Sequence, residues 1–269
     1  MRKIGILGVG AIGSAIARAL DRKQIDAELV AVADQDRARA EALSAELTGR
    51  PAVVSLDEMI ERSDLAVEAA SQAALGDFVP KALGRRRDML ILSVGGLLGQ
   101  EEWFGEAREK GCRIYIPSGA IAGLDGVKSA SMGRIARILL TSRKPVAAIQ
   151  GSKYAMERNL ALDSLEEDTV IFEGLAEDAA RAFPATANVA AALRLALDPA
   201  RSDVVRVRII AVPGGTENVH EICVEGEFGR FTVKVENRPS AANPRTSQLA
   251  AFSAIATLKN LTRSLHVGT

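Results

Sequence analysis

The chemistry available to this chain of 269 residues rests on one glycine cluster, two histidines, two cysteines and a few paired cations. Gly8-Val9-Gly10-Ala11-Ile12-Gly13 has the G-x-G-x-x-G spacing of a dinucleotide-binding turn. In such a turn Gly8 permits the tight reversal, Gly10 lets the backbone approach a pyrophosphate, and Gly13 lets the next helix pack closely on the strand before it. The helix start at Ala11 and Ile12 then offers free N–H groups and the positive end of a dipole to the phosphates. Asp34 follows Gly13 by 21 residues, near the spacing of about 20 for the acid that accepts hydrogen bonds from the adenosine ribose. A carboxylate there repels a 2′-phosphate and favours NAD, while Arg37 and Arg39 keep NADP as the alternative. A bare glycine pattern is weak evidence; a strand before it, a helix after it and an acid ending the second strand strengthen it.

Of the two histidines, His266 lies three residues from the C-terminus, whereas His220 falls inside a predicted strand between Val219 and Glu221. An imidazole titrates near neutrality unperturbed, which suits proton handling; a histidine satisfied structurally within a sheet is the other reading. Two clusters are candidate anion binders: Arg143-Lys144 ahead of Pro145, and Arg245-Thr246-Ser247 at the expected start of the last helix. Solvated surface charge is their bland alternative, and Lys128 and Lys153 have only charge to recommend them. Asn188 suits either a contact to a carboxamide or a helix cap. Asp125 either orients a base or closes a glycine-rich turn, the turn being favoured. Ser93-Val94-Gly95-Gly96 ends a predicted strand with residues small enough for a nicotinamide to approach, or forms a simple loop. Cys112 and Cys223 stand apart and read as buried, reduced thiols. No His/Cys/Asp cluster has ligand spacing, so no metal is expected.

The elements that must position these groups change character along the chain. Ile4–Leu7, Leu29–Ala33, Ala52–Val54, Leu65–Ala70, Met89–Ser93 and Arg113–Ile116 read as strands separated by helical stretches. That alternation implies crossover connections and a parallel sheet, buried on both faces. It stops near Pro117, where a small, glycine-rich stretch begins. Beyond it, Val146–Gln150, Val170–Glu173, Val204–Val212, Val219–Val224 and Phe231–Val235 read as strands, and Leu175–Ala182 and Asn188–Leu197 as helices. Gly226-Glu227-Phe228-Gly229 can turn the last two strands into a hairpin. The expectation is an α/β fold: a Rossmann domain (doubly wound parallel sheet) over 1–117 and a second α+β domain with a mixed or antiparallel sheet over 118–243. Asn243 as cap and Pro244 as first helical residue predict a final helix over 244–265 that packs back on the first domain.

Lys+Arg and Asp+Glu both number 34, so no overall basic field exists to hold nucleic acid or an anionic membrane. The first apolar stretch, Ile4–Ala19, is broken by glycines and is not a signal peptide. No run approaches a membrane span. The expected compartment is the cytoplasm.

Several segments together resemble the L-aspartate dehydrogenase family. They are Pro117–Gly126, Thr141-Ser142-Arg143-Lys144-Pro145, Phe183–Leu193, Asn218-Val219-His220-Glu221-Ile222, Asn237-Arg238-Pro239-Ser240 and Asn243-Pro244-Arg245-Thr246-Ser247. With the glycine turn they span nearly the whole chain in order. The resemblance implies NAD(P)-dependent oxidation of L-aspartate to iminoaspartate, which hydrolyses to oxaloacetate and ammonia or feeds NAD biosynthesis. It implies His220 as the catalytic residue, Ala120 and Asn188 as nicotinamide-side contacts, and a homodimer. Two rivals are another two-domain Rossmann oxidoreductase and a dinucleotide-binding sensor without redox chemistry. Sugar oxidoreductases usually carry Glu-Lys-Pro after the fifth strand, where this chain has Ser93-Val94-Gly95. The His-His pair of dihydrodipicolinate reductases is also missing.

Overall fold

The computed structural model describes residues 1–183, 188–198, 204–240 and 243–268. The chain divides into two compact units, Met1–Pro117 with Ala250–Val267, and Ser118–Leu249.

The first unit runs β1 (Arg2–Leu7), α1 (Ala11–Asp21), β2 (Ala27–Ala33), α2 (Arg37–Glu46), β3 (Ala52–Val53), α3 (Leu56–Arg62), β4 (Leu65–Glu68), α4 (Leu75–Gly84), β5 (Asp88–Ile91), α5 (Glu101–Lys110) and β6 (Ile114–Tyr115). Its six strands lie in the order β3-β2-β1-β4-β5-β6, and every ladder is parallel. This is the doubly wound sheet expected from the alternation of elements. The order reverses between β1 and β4, and ligands of such sheets bind outside the carboxyl ends of the strands at that point. The strands are apolar throughout because helices cover both faces: Leu65, Ala66, Val67, Met89, Leu90 and Ile91 are all fully buried. Ile16 and Leu20 of α1 join Ile4, Ile6, Val32 and Leu90 in one cluster, and burying each such side chain contributes roughly 1.5–3 kcal/mol. Ala254 and Leu258, on the closing helix α11 (Gln248–Asn260), complete the cluster.

The second unit runs α6 (Leu124–Ala130), β7 (Ile135–Pro145), α7 (Val146–Ile149), α8 (Lys153–Glu157), β8 (Thr169–Leu175), α9 (Ala176–Ala182), α10 (Asn188–Leu195), β9 (Val205–Val212), β10 (Asn218–Gly226), β11 (Gly229–Asn237), β12 (Pro239–Ser240) and β13 (Asn243–Ser247). Its main sheet has the order β11-β10-β7-β9-β8. Only the β7–β9 ladder is parallel, so the sheet is mixed. One face carries Ile138, Leu140, Val205, Val207, Ile209, Ile222 and Val224 into a core closed by Ala176 and Ala179 of α9 and Ala190 and Leu193 of α10.

Two expectations are corrected. A strand was expected at Val146–Gln150, but those residues open as the helical turn α7; the central strand is β7, ahead of it. Arg137, Thr141, Arg143 and Lys144 make β7 look polar, and a strand that is apolar on one face only gives a weak signal. Pro145 has no N–H for a continuing ladder, and the strand ends there. The last helix was expected from 244, but Asn243–Ser247 form β13, paired with β12. The cap is Ser247, whose Oγ accepts from the Leu249 N–H at 3.1 Å. Residues 184–187 of the Phe183–Leu193 segment lie outside the described residues.

Candidate active site

The glycine turn of the first unit has the backbone geometry that a dinucleotide turn requires. At Gly8 the backbone φ is +87°, and an added Cβ would sit 2.6 Å from the Ala69 carbonyl oxygen. At Gly13 a Cβ would lie 1.9 Å from the Gly8 carbonyl oxygen, so the return of α1 onto its own turn tolerates no side chain. Gly10 differs: a Cβ there would meet nothing within 4 Å, so this glycine leaves open space beside the backbone. Gly10 also precedes α1 without a capping side chain and without an acid in the first turn. By contrast, Asp36 caps α2 and Ser55 caps α3. The uncapped N–H groups of Ala11, Ile12 and Gly13 therefore suit a pyrophosphate, which would both bond them and meet the helix dipole.

Asp34 follows β2 directly. Its Oδ2 accepts from the Val9 N–H at 2.7 Å, and its Oδ1 accepts from the Asp36 N–H at 2.8 Å and from Arg39 at 2.7 Å. Burial works against ionisation, but these three donors outweigh it and hold Asp34 below the ordinary carboxylate range. A carboxylate has about four acceptor positions, and these donors take three of them. Arg37 instead pairs with Glu41 along α2.

In the second unit the ladder between β7 and β10 sets His220 opposite Ser142 and Val219 opposite Arg143. Alternate residues of a strand share a face. Ile138, Leu140, Ser142 and Lys144 therefore point one way, as do His220, Ile222 and Val224, all of them buried. Ser142 Oγ lies 2.9 Å from His220 Nδ1. Lys144 Nζ lies 3.5 Å from Asn218 Oδ1 and, among the described residues, forms no ion pair. Burial lowers the Lys144 pKa to about 8. Burial, with the nearby Lys144 charge second, lowers that of His220 to about 3. His220 is therefore neutral at physiological pH and does not titrate near neutrality as its residue type suggested.

Arg143 points to the opposite face, where it is exposed and pairs with Asp168. Arg245 and Thr246 lie in β13 rather than at a helix start. Ser247 donates to Asn237 Oδ1, and Asn237 Nδ2 donates to the Ala120 carbonyl at 2.9 Å. Asn237 pairs in register with Asn218. Buried Asn237 thus ties Ala120 and Ser247 to the end of the sheet that carries Lys144 and His220. Asn188 begins α10. A separate hollow of about 520 Å³, lined by Tyr154, Arg158, Phe172, Glu173, Asp178 and Arg181 among others, contains none of the expected site residues.

Ser142, Asn218 and Asn237 were not singled out for a role in the sequence, because their partners come from strand register. Among the described residues no group of three or more His, Cys, Asp or Glu side chains is arranged to hold a metal, and both cysteines are buried and unpaired. No helix among them is long and apolar enough to cross a membrane.

A doubly wound parallel sheet opened by a glycine turn, with a mixed-sheet second unit, is the architecture of a nicotinamide-dependent oxidoreductase. A family model described as "Homoserine dehydrogenase, NAD binding domain" matches residues 8–117, and one described as "Aspartate dehydrogenase, C-terminal" matches residues 125–261. The chain is 46% identical to the L-aspartate dehydrogenase of Methanosarcina mazei and 44% identical to that of Methanocella arvoryzae, with all of each chain covered. The solved aspartate dehydrogenase of Thermotoga maritima superposes with a TM-score of 0.75 at 26% identity, again over the whole of both chains. A myo-inositol dehydrogenase of Lactobacillus casei shares the fold at a TM-score of 0.55 and 15% identity, covering 87% of this chain and 74% of its own. The chain belongs to the aspartate dehydrogenase family.

Proposed function

We propose that this protein oxidises L-aspartate to iminoaspartate, which water converts to oxaloacetate and ammonia. The reading rests on the family and on one observation: a buried ammonium with no carboxylate partner among the described residues stands beside a buried neutral imidazole.

The Gly8–Gly13 turn, the start of α1 and Asp34 would hold the dinucleotide, with Ala120 and Asn188 on its nicotinamide side; NAD is the expected form. When bound, the oxidised nicotinamide supplies the acceptor for the hydride leaving the substrate Cα. Lys144 is the cation suited to a substrate carboxylate. Its desolvation weakens the ammonium form in the empty site, and an arriving carboxylate offsets that cost. Aspartate's ammonium must lose a proton before the nitrogen lone pair can assist hydride departure. His220 is the acceptor: with Nδ1–H donated to Ser142 Oγ, Nε2 keeps a free lone pair. The substrate's negative charge raises the affinity of His220 for that proton. Arg143 has no part in this scheme. Buried free thiols suit a reducing compartment, so we place the enzyme in the cytoplasm, working as a homodimer.

The test is absorbance at the reduced-nicotinamide band with L-aspartate and NAD. Turnover should appear at neutral to alkaline pH, and Glu- or Ala-type substrates lacking the matched carboxylate spacing should turn over far more slowly. His220→Ala should lose turnover by about 100-fold or more with dinucleotide affinity nearly intact. Absence of reduction with aspartate across that pH range would refute the assignment.

A further inference from the structure

The first unit contains a buried carboxylate that none of these roles uses. Glu68 ends β4 with no exposure to solvent. Its Oε1 accepts from the Ala70 N–H and from Ser93 Oγ, both at 2.8 Å, and its Oε2 accepts from the Ser93 N–H at 3.0 Å. No cation among the described residues pairs with it. The group sits where three turns meet. Ala69 and Ala70 press on the point where Gly8 lacks a side chain. The turn after β5 is anchored through Ser93, and its Gly96 packs where a Cβ would lie 2.8 Å from Leu75 and 3.2 Å from Gln72. Asp34 places the adenosine half of a dinucleotide over β2. The other half of the molecule then belongs at the carboxyl ends of β4 and β5, across the switch point.

We infer that Glu68 is a positioning residue for the nicotinamide half of the cofactor: it locks the Ala69–Gln72 and Ser93–Gly96 turns together and sets an unpaired negative charge beneath them that favours the oxidised, cationic ring over the reduced, neutral one. Burial pushes its carboxyl pKa up and outweighs the Ser93, Ala70 and Leu92 donors that oppose the shift; a cationic ring held nearby works in the opposite direction and favours the ionised form. Two backbone N–H groups, one on each oxygen, can only donate, which suits the ionised form. A charge in a low-dielectric interior without a counter-ion acts over a longer range than one in water. The consequence falls on affinity: the protein should bind NAD⁺ more tightly, relative to NADH, than it would with a neutral group at this position.

The inference rests on dinucleotide binding at the glycine turn, and the experiment separates the two. Dissociation constants for NAD⁺ and NADH are measured by calorimetry on the full-length protein and on Glu68→Gln and Ser93→Ala. In Glu68→Gln the NAD⁺ affinity should fall about tenfold more than that for NADH. In Ser93→Ala, which keeps the carboxylate and removes one donor, both affinities should fall together. Equal losses in Glu68→Gln overturn the role of the charge; failure of the unsubstituted protein to bind either form overturns the dinucleotide reading itself. Should Glu68→Gln not fold, the unsubstituted protein decides alone. It should bind NAD⁺ about tenfold more tightly than an analogue in which a neutral benzamide ring replaces the pyridinium, and equal binding overturns the inference.

Discussion

Replacing Lys144 by Met should make the protein more stable and disable it. Burial moves the Lys144 pKa from 10.5 to about 8, which amounts to about 3 kcal/mol against the ammonium form at neutral pH. Methionine fills a similar volume with an apolar, flexible stem. It gives up only the long 3.5 Å contact to Asn218, worth about 1 kcal/mol at most. The net gain at pH 7 is then roughly 2–3 kcal/mol. The pH dependence identifies the cause. Below about pH 8 the folded chain holds the buried proton and bears the whole penalty. Between about 8 and 10.5 the unfolded chain still holds a proton that the folded chain has released, so the stability of the unsubstituted protein rises with pH. The gap between the two proteins should therefore close as pH climbs from 7 to 10.5. Urea unfolding followed by far-UV circular dichroism measures it; the single tryptophan, Trp103, lies in the other unit and reports poorly on this one. In the aspartate assay KM should rise by about two orders of magnitude, as expected when a desolvated charge loses its partner. A variant no more stable than the original at pH 7, with a gap that does not change with pH, would show that Lys144 is not an uncompensated buried ammonium.

The glycine turn separates fold from binding. Gly10→Ala should leave thermal unfolding unchanged and weaken dinucleotide binding at least tenfold, whereas Gly13→Ala, whose Cβ meets backbone at 1.9 Å, should lose a few kcal/mol of stability; a stable Gly13→Ala would contradict the packing described. Ser142→Ala should lower kcat about tenfold with little change in KM, by releasing the imidazole from its orientation, and should add nothing to His220→Ala; additive losses would uncouple the pair. Asp34→Ala should weaken NAD and relatively favour NADP, since Arg39 is freed from its carboxylate; calorimetry showing equal losses for both would remove Asp34 from the ribose.

The first unit was legible because strands buried on both faces must be apolar throughout. Runs such as Met89-Leu90-Ile91 therefore announced themselves, and a glycine turn between strand and helix fixed the carboxyl edge of the sheet. β7 was not legible. Its outward face carries Arg137, Thr141 and Arg143, so half of its residues argue for a surface segment until the partner strands are known. The same ambiguity hid the choice between Arg143 and Lys144. Adjacent in sequence and alike in charge, they differ only in which face of β7 they occupy, and register with β10 decides that. Asn243-Pro244 misled for a different reason. Both residues fit a helix start, but Ser247 offers a cap closer to the apolar face of α11, and the segment before it finds a strand partner.

Buried polarity singles out the proposed site residues of both units better than any of these patterns. Among the described residues the buried polar side chains are Ser63, Glu68, Ser93, Ser142, Lys144, Arg194, His220 and Asn237. Two of them have plain structural partners: Ser63 bonds the Ile60 carbonyl at the end of α3, and Arg194 pairs with Glu177. The other six fall into two groups, Glu68 with Ser93 and Ser142, Lys144 and His220 with Asn237. Burying an ionisable group without a counter-charge costs several kcal/mol that an apolar residue of similar volume would not. Neither Glu68 nor Lys144 has such a counter-charge among the described residues, so stability alone would not retain either. A ligand that brings charge would resolve both: a cationic ring would answer the carboxylate, and a carboxylate the ammonium. On the proposed roles, oxidised nicotinamide would bring the positive charge to Glu68 and an acidic amino acid the negative charge to Lys144; reduction removes the ring's charge, which is why the NAD⁺ and NADH affinities of Glu68→Gln are the deciding measurement.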